Sequence, residues 1–342
     1  ALETPDSIFK AHCNYAELIL SHHPNSLNNY LQSKEPSRKL RIGYISQDFF
    51  DQPAGYTLRA FLGLYHREEF EVYCYSFALK EDLLTEYFKQ CVTQWRYLLD
   101  MTIENAVQVI YQDQIDILVD IGAGPTGGYL FLVFAHRPAP IQVSFYAIST
   151  GLKTIDYHVT DSFMEVKGTE HLNVEKLVLI PACAGFCYAP EETPLPEAPP
   201  VLKNHYITFG SFNTVAKMTS EVIHLWSQIL KAVPHSRLLL KYTKFFLYYN
   251  REYFLSLFEN LGISGDRIEF LAHTDTRYEH LQLYSQIDIA LDPFPFCGHT
   301  TSLEALWQGV PVITLEGTTG FGRATASFLH VLGLEELIAK NS

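Results

Sequence analysis

At 342 residues the chain can hold two hydrophobic cores at roughly 100 to 200 residues per domain, which excludes a small stapled scaffold. Hydrophobic residues make up 47% and charged residues 18%, with 21 Tyr and 23 Phe, so disorder is excluded as the general state. The 25 Lys plus Arg against 38 Asp plus Glu leave a formal charge of -13, which repels a phosphate backbone; no Lys/Arg-rich run offsets it, and nucleic acid is not an expected partner.

The opening ALETPDSIFK carries acid early and lacks the basic start of a secretory leader. Apolar positions Ile8, Tyr15, Leu18 and Ile19 then recur at helical spacing between Pro5 and His22, predicting one amphipathic helix packed on the first domain. Short β-rich runs follow at Lys39 to Ser46, Phe70 to Ser76, Asp116 to Ile121 and Ile141 to Phe145, with a weaker pair at Tyr157 to Thr160 and Lys176 to Ile180. Helical patterns separate them, so a parallel sheet covered on both faces is expected. The longest apolar stretch, Leu177 to Ala189, contains Pro181 and Gly185 and falls short of the roughly 18 residues of a membrane span.

Between residues 188 and 204 the sequence reads YAPEETPLPEAPPVLKN, a composition that favours an extended connector. Beyond it a second alternating set begins with a strand at Tyr206 to Phe212 and ends with a helix near Arg323 to Leu332. The expected fold class is α/β, with two doubly wound Rossmann-like domains facing a cleft. The segments are an N-terminal helix and linker over 1–37, a first Rossmann-like domain over 38–187, a proline-rich link over 188–204 and a second Rossmann-like domain over 205–342. The six cysteines are too scattered for a disulfide framework, which places the chain in a reducing compartment, most simply the cytoplasm.

Gly122, Gly124 and Gly127 in GAGPTGG satisfy the dinucleotide spacing, but after a late strand and without an acidic residue about twenty positions on. A cleft-facing loop and an ordinary turn are the other readings. Cys183 and Cys187 lack the further ligands that zinc needs and read as buried small hydrophobes. Within LDPFPFCGHTTSLEALWQGVP, a strand ends at Asp292, and Gly298, His299, Thr300 and Thr301 stand where a helix starts. Unpaired N–H groups and two hydroxyls there suit a phosphate, and Glu304 one turn on can accept from sugar hydroxyls. A helix simply capped by threonine is the plain alternative. Lys217, between a strand and a helix, is either a solvated loop lysine or the counter-charge of a leaving diphosphate. No Asp-x-Asp pair occurs, which favours lysine and helix dipoles over a divalent ion.

RIGYISQDF, DILVDIGAGPTGG, RPAPIQV, FGSFNTVAK and GHTTSLEALWQGVPVITLEG together resemble the catalytic region of the O-linked N-acetylglucosamine transferase family, in particular its bacterial and SPINDLY-like members. The resemblance runs from about residue 38 to 340. It implies a GT-B fold and inverting transfer without metal or resident cofactor, from a nucleotide sugar such as a UDP-sugar to a Ser or Thr of a protein acceptor. By motif, Lys217 matches the lysine on the donor diphosphate, His299, Thr300 and Thr301 the phosphate-binding helix start, and Glu304 a ribose-binding acid. Arg277 and His280 match positions flanking the nucleoside, the histidine by stacking on the base, while Asn213 and Thr214 line the donor pocket.

The departures fall mainly in the first domain, where Gln52 and Tyr56 stand at positions the family fills with histidine. Gly124, Pro125 and Thr126 replace its Gly-His-Thr, and residues 145–151 read FYAISTG. Gln and Pro cannot take a proton as histidine does. Asp48 and Asp120 are the base candidates because they end first-domain strands. The family's upstream repeats and final helices have no counterpart between residues 1 and 342, so the chain reads as a fragment or as closing differently. The expected function is transfer of GlcNAc, glucose or a similar sugar to protein. The alternatives are a silent GT-B partner of another glycosyltransferase and a sugar-nucleotide epimerase.

Overall fold

The computed structural model describes residues 4–23, 27, 29–33, 35–121, 128–145, 148–181, 183–185, 192–241 and 244–341. The chain divides into two units, Ala1–Ala189 and Pro190–Ser342. In the first, Thr4 caps α1 (Pro5–His22), its Oγ1 accepting from Ser7 N at 3.1 Å. Tyr15 stacks on Phe131 at 5.6 Å, and His12 Nδ1 lies 2.8 Å from Ser149 O, so α1 packs on this unit as expected. The remaining elements are β1 (Leu40–Ser46), α2 (Pro53–Leu64), β2 (Phe70–Ser76), α3 (Leu83–Cys91), β3 (Gln94–Tyr97), α4 (Ile103–Gln112), β4 (Ile117–Asp120), α5 (Gly128–Ala135), β5 (Ile141–Ser144), β6 (Tyr157–Asp161) and β7 (Lys176–Ile180).

These strands form one parallel sheet in the order β3-β2-β1-β4-β5-β6-β7. Side chains alternate across it with the period of two that a strand imposes. Val72 and Cys74 enter a core with Leu58, Leu62 and Phe88 of α2 and α3, whereas Tyr75 joins Ile45, Leu118 and Phe134 on the opposite face. The edge strand β3 is an addition to the sequence reading. Its QWRY carries a charge in a four-residue run, and Arg96 is held by Asp113 at 2.7 Å, a partner the local pattern does not reveal.

The second unit contains α6 (Val201–Asn204), β8 (Thr208–Ser211), α7 (Ser220–Ala232), β9 (Arg237–Lys241), α8 (Lys244–Asn260), β10 (Ile268–Leu271), α9 (Arg277–Gln282), β11 (Ile289–Leu291), α10 (Thr300–Trp307), β12 (Val312–Leu315), α11 (Ala324–Leu332) and β13 (Ile338–Ala339). The sheet is parallel in the order β10-β9-β8-β11-β12-β13. Leu238 and Leu240 pack with Trp226 and Phe258, while Leu239 faces Tyr284 and Ala305 on the other side. The proline-rich connector is partly fastened to this unit. Asp288 accepts from Val201 N and Thr208 N, both at 2.8 Å, and Gln308 Nε2 donates to Thr193 Oγ1 at 2.7 Å.

The first six strands of each sheet share one order, so the winding reverses between β1 and β4 and again between β8 and β11. Ligands of doubly wound sheets bind outside the carboxyl ends of strands at such reversals. Among the described residues no helix is long and apolar enough to cross a membrane.

Candidate functional site

At the reversal of the second unit, β8 runs into Phe212, Asn213 and Thr214, then one 3-10 turn, Val215–Lys217. From the neighbouring β11 the chain passes Asp292 and reaches α10 through Gly298 and His299. Thr301 Oγ1 donates to Asn213 Oδ1 at 3.1 Å and ties the two crossings together. Asp292 is buried and accepts from Gly298 N at 2.5 Å and from Thr314 Oγ1 at 2.7 Å; burial raises its pKa against those bonds. Thr325 Oγ1 lies 2.9 Å from Ser302 Oγ and 3.3 Å from Gly298 O. The turn before α10 is thus clamped from two sides.

His299, not a threonine, holds the N-cap position of α10, and its side chain makes no capping bond. The plain capped-helix alternative is therefore not realised, and the helix start keeps donors for a ligand. Lys217 reaches the same turn: Nζ donates to Cys297 O at 2.5 Å and stands 4.0 Å from the centre of the Phe296 ring. Burial lowers the Lys217 pKa. Burial and the Lys217 charge push His299 down to about 4, so its imidazole is neutral at neutral pH. Its ring packs edge-on against Phe328 at 5.5 Å.

One turn into α10, Glu304 is buried, with its side chain 6% exposed. His280 Nε2 lies 3.0 Å from Glu304 Oε2, and Arg277 Nε lies 3.5 Å from Oε1. Both partners come from α9, whose start is fixed by a capping box of Thr276 and Glu279. The His280 ring sits beside Phe212 at 5.9 Å and Tyr284 at 5.6 Å, and Tyr284 OH donates to Thr301 O at 3.1 Å. Of the residues expected here, Asn213, Lys217, Arg277, His280, His299, Thr300, Thr301 and Glu304 lie along the carboxyl edge of this sheet, while Thr214 is exposed. Sequence reasoning missed Lys241, the buried last residue of β9, which also reaches His280. A lysine ending the apolar run LLL was the available signal.

At the reversal of the first unit, Asp48 follows β1 and Asp120 ends β4, both buried. Ile45 pairs with Asp120, so the two acids share one sheet edge. Asp48 Oδ1 accepts from Gln52 Nε2, its Oδ2 is buried with no hydrogen-bond partner among the described residues, and burial raises its pKa against the Gln52 bond. Tyr56 donates to Asp51 Oδ1. Gly124, Pro125 and Thr126, with the rest of residues 122–127, lie outside the described residues, as do residues 146–147 and Cys187. Cys183 is half-buried, not buried as expected, and its thiol donates to Gly185 O at 2.9 Å. Among the described residues no three His, Cys, Asp or Glu side chains gather as metal ligands.

The profile of Glycosyl transferase family 41 matches residues 7–186 and 199–342. The chain is 36% identical to the probable UDP-N-acetylglucosamine–peptide N-acetylglucosaminyltransferase SPINDLY of Solanum lycopersicum, over 99% of this chain and 37% of that protein. To its namesake in Arabidopsis thaliana it is 37% identical, over 98% of this chain and 37% of that protein. It therefore spans a little over a third of the length of these curated relatives. A mutant O-GlcNAc transferase of Thermobaculum terrenum superposes with a TM-score of 0.91 at 35% identity, covering 100% of this chain and 65% of that one. The galactosyltransferase WaaB of the lipopolysaccharide outer core shares the fold, with a TM-score of 0.54 at 14% identity over 86% of this chain and 89% of that one.

Proposed function

The chain belongs to glycosyl transferase family 41, and on that premise we propose that it is the catalytic region of an inverting, metal-independent enzyme. It moves a sugar from a nucleotide diphosphate to a Ser or Thr side chain of a protein. One observation carries the reading: Lys217 and the uncapped start of α10 meet at a single turn, Cys297 to His299. Lys217 now donates to a neutral carbonyl, and a phosphate oxygen offers it a stronger, charge-assisted bond. As the glycosidic bond breaks, negative charge grows on the leaving diphosphate, where the ammonium, the helix N–H groups including that of Thr301, and the hydroxyl of Thr300 stabilise it. Arg277, His280 and Glu304 hold the nucleoside. Asp48 is the preferred base for the acceptor hydroxyl, because its Oδ2 has an open lone pair and burial strengthens it as a base.

The test incubates the purified chain with UDP- and GDP-sugars and candidate acceptor proteins, reading free nucleotide and intact acceptor mass. Expected are a mass increase of one N-acetylhexosamine or hexose, indifference to EDTA, and a loss in kcat/KM of about a hundredfold or more in Lys217→Met. Gln52 and Tyr56 favour one second reading, a silent partner of another glycosyltransferase. Nucleotide binding without turnover in the presence of acceptor supports it, and a new sugar nucleotide formed without acceptor makes the chain an epimerase.

A further inference from the structure

Lys241 ends β9 in line with Leu239, on the face that packs under α9 and α10, and is 8% exposed. A lysine buried there costs desolvation that an apolar residue of the same length avoids, so the position calls for a reason. Its Nζ stands 2.5 Å from His280 Nδ1 and 3.3 Å from Thr274 Oγ1. On the far side of the same ring, Nε2 is 3.0 Å from the buried carboxylate of Glu304. An ammonium has three donors and no acceptor, so the imidazole nitrogen facing it accepts. The ring proton then sits on Nε2 and donates to Glu304. The opposite tautomer sets N–H against N–H at one end and a lone pair against a carboxylate at the other, two mismatches in a buried site. Burial lowers Lys241 to about 8 and the Glu304 charge opposes that shift, so the lysine is still an ammonium at neutral pH.

We propose that Lys241 is a positioning residue that locks His280 as its Nε2–H tautomer and, through the chain Lys241–His280–Glu304, holds the imidazole and the carboxylate in place for the nucleoside half of the donor. This rests on the nucleotide reading of the site given above. Lys241 acts on the ligand through His280 and Glu304, whereas Lys217 acts on the diphosphate, so the two lysines separate in experiment. Removing Lys241 weakens recognition of the nucleoside and leaves the phosphate cradle intact.

The test compares the unmodified chain with Lys241→Met and Lys241→Arg. Binding of UDP, GDP and inorganic pyrophosphate is measured by calorimetry, and the protonation pattern of the His280 nitrogens by 15N NMR, assigned with His280→Gln. Expected for Lys241→Met is a loss of roughly tenfold or more in affinity for the preferred nucleoside diphosphate, the scale of a lost charge-assisted hydrogen bond, with pyrophosphate binding unchanged. The Nε2–H signature gives way to a tautomer mixture, and Lys241→Arg, which keeps the donors, restores both readouts. A folded Lys241→Met that binds nucleotide as tightly as the unmodified chain and keeps the tautomer overturns the proposal. If that variant does not fold, Lys241→Leu, which likewise carries no donor, takes its place, and the same two readouts uphold or overturn the proposal in the same way. Failure of the unmodified chain to bind any nucleoside diphosphate overturns instead the nucleotide reading; the tautomer measurement still decides whether Lys241 sets His280.

Discussion

His299 stands at the start of α10 with its ring against Phe328, and its pKa falls from 6.5 to about 4 through burial and the nearby Lys217 charge. The sign of the pH effect follows. Between those two values the unfolded chain binds a proton that the folded chain refuses, so stability is complete above about pH 6.5 and declines as pH falls toward 4. The penalty at the acid end is on the order of 3 kcal/mol. His299→Gln is expected to flatten this part of the curve relative to the unmodified chain, measured as denaturant midpoints across that range. Equal slopes in both chains would show that the histidine is not buried neutral. Lys217, His299, Thr300, Thr301 and Glu304 were legible because they lie within short stretches whose order reads as strand, turn and helix. Lys241 was not: its partner is His280, 39 residues away, and nothing local announces that the two meet.

At the scale of elements, the entry to α10 depends on Gly298 having no side chain. A Cβ there would lie 2.2 Å from Ser302 Oγ and 2.9 Å from Asp292 Oδ1, so Ser302 or the turn has to shift. Gly298→Ala is expected to cost about 1–3 kcal/mol by overpacking and to weaken nucleotide binding together with stability. Unchanged affinity alongside a lowered melting temperature would separate the turn from the ligand site. The helices and long strands were readable from periodicity, since apolar alternation and helical spacing record which faces are covered. Strand β3, with QWRY as its whole length, was not, because an edge strand needs few apolar residues and is selected by the neighbour that pairs with it.

Over the whole molecule, two sheets with one winding order place two reversals in one chain, and the residues proposed to act lie at the carboxyl edge of the reversal in their own unit. The residues proposed for the donor belong to the second unit, Pro190–Ser342, and the base candidates to the first. A nucleotide that binds only the folded chain stabilises it by about 2.7 kcal/mol at a hundred times its dissociation constant. A thermal-shift panel of UDP, GDP and their sugars is therefore expected to yield one preferred nucleotide, with the same shift in the presence of EDTA. A shift abolished by EDTA would replace the lysine and helix start with a bound cation as counter-charge.

What the sequence by itself determined was the alternation of strands and helices and the family, because these depend on the order of side chains along a few short segments; it also named the residues proposed for the donor side. Only the tertiary structure decided which of those residues meet. It placed His299 rather than a threonine at the helix cap, left Asp48 Oδ2 without a partner among the described residues, and set Lys241 against His280. The physical reason is that burial and hydrogen-bond partnership are properties of contacts between distant segments, and those contacts exist only once the sheets have formed.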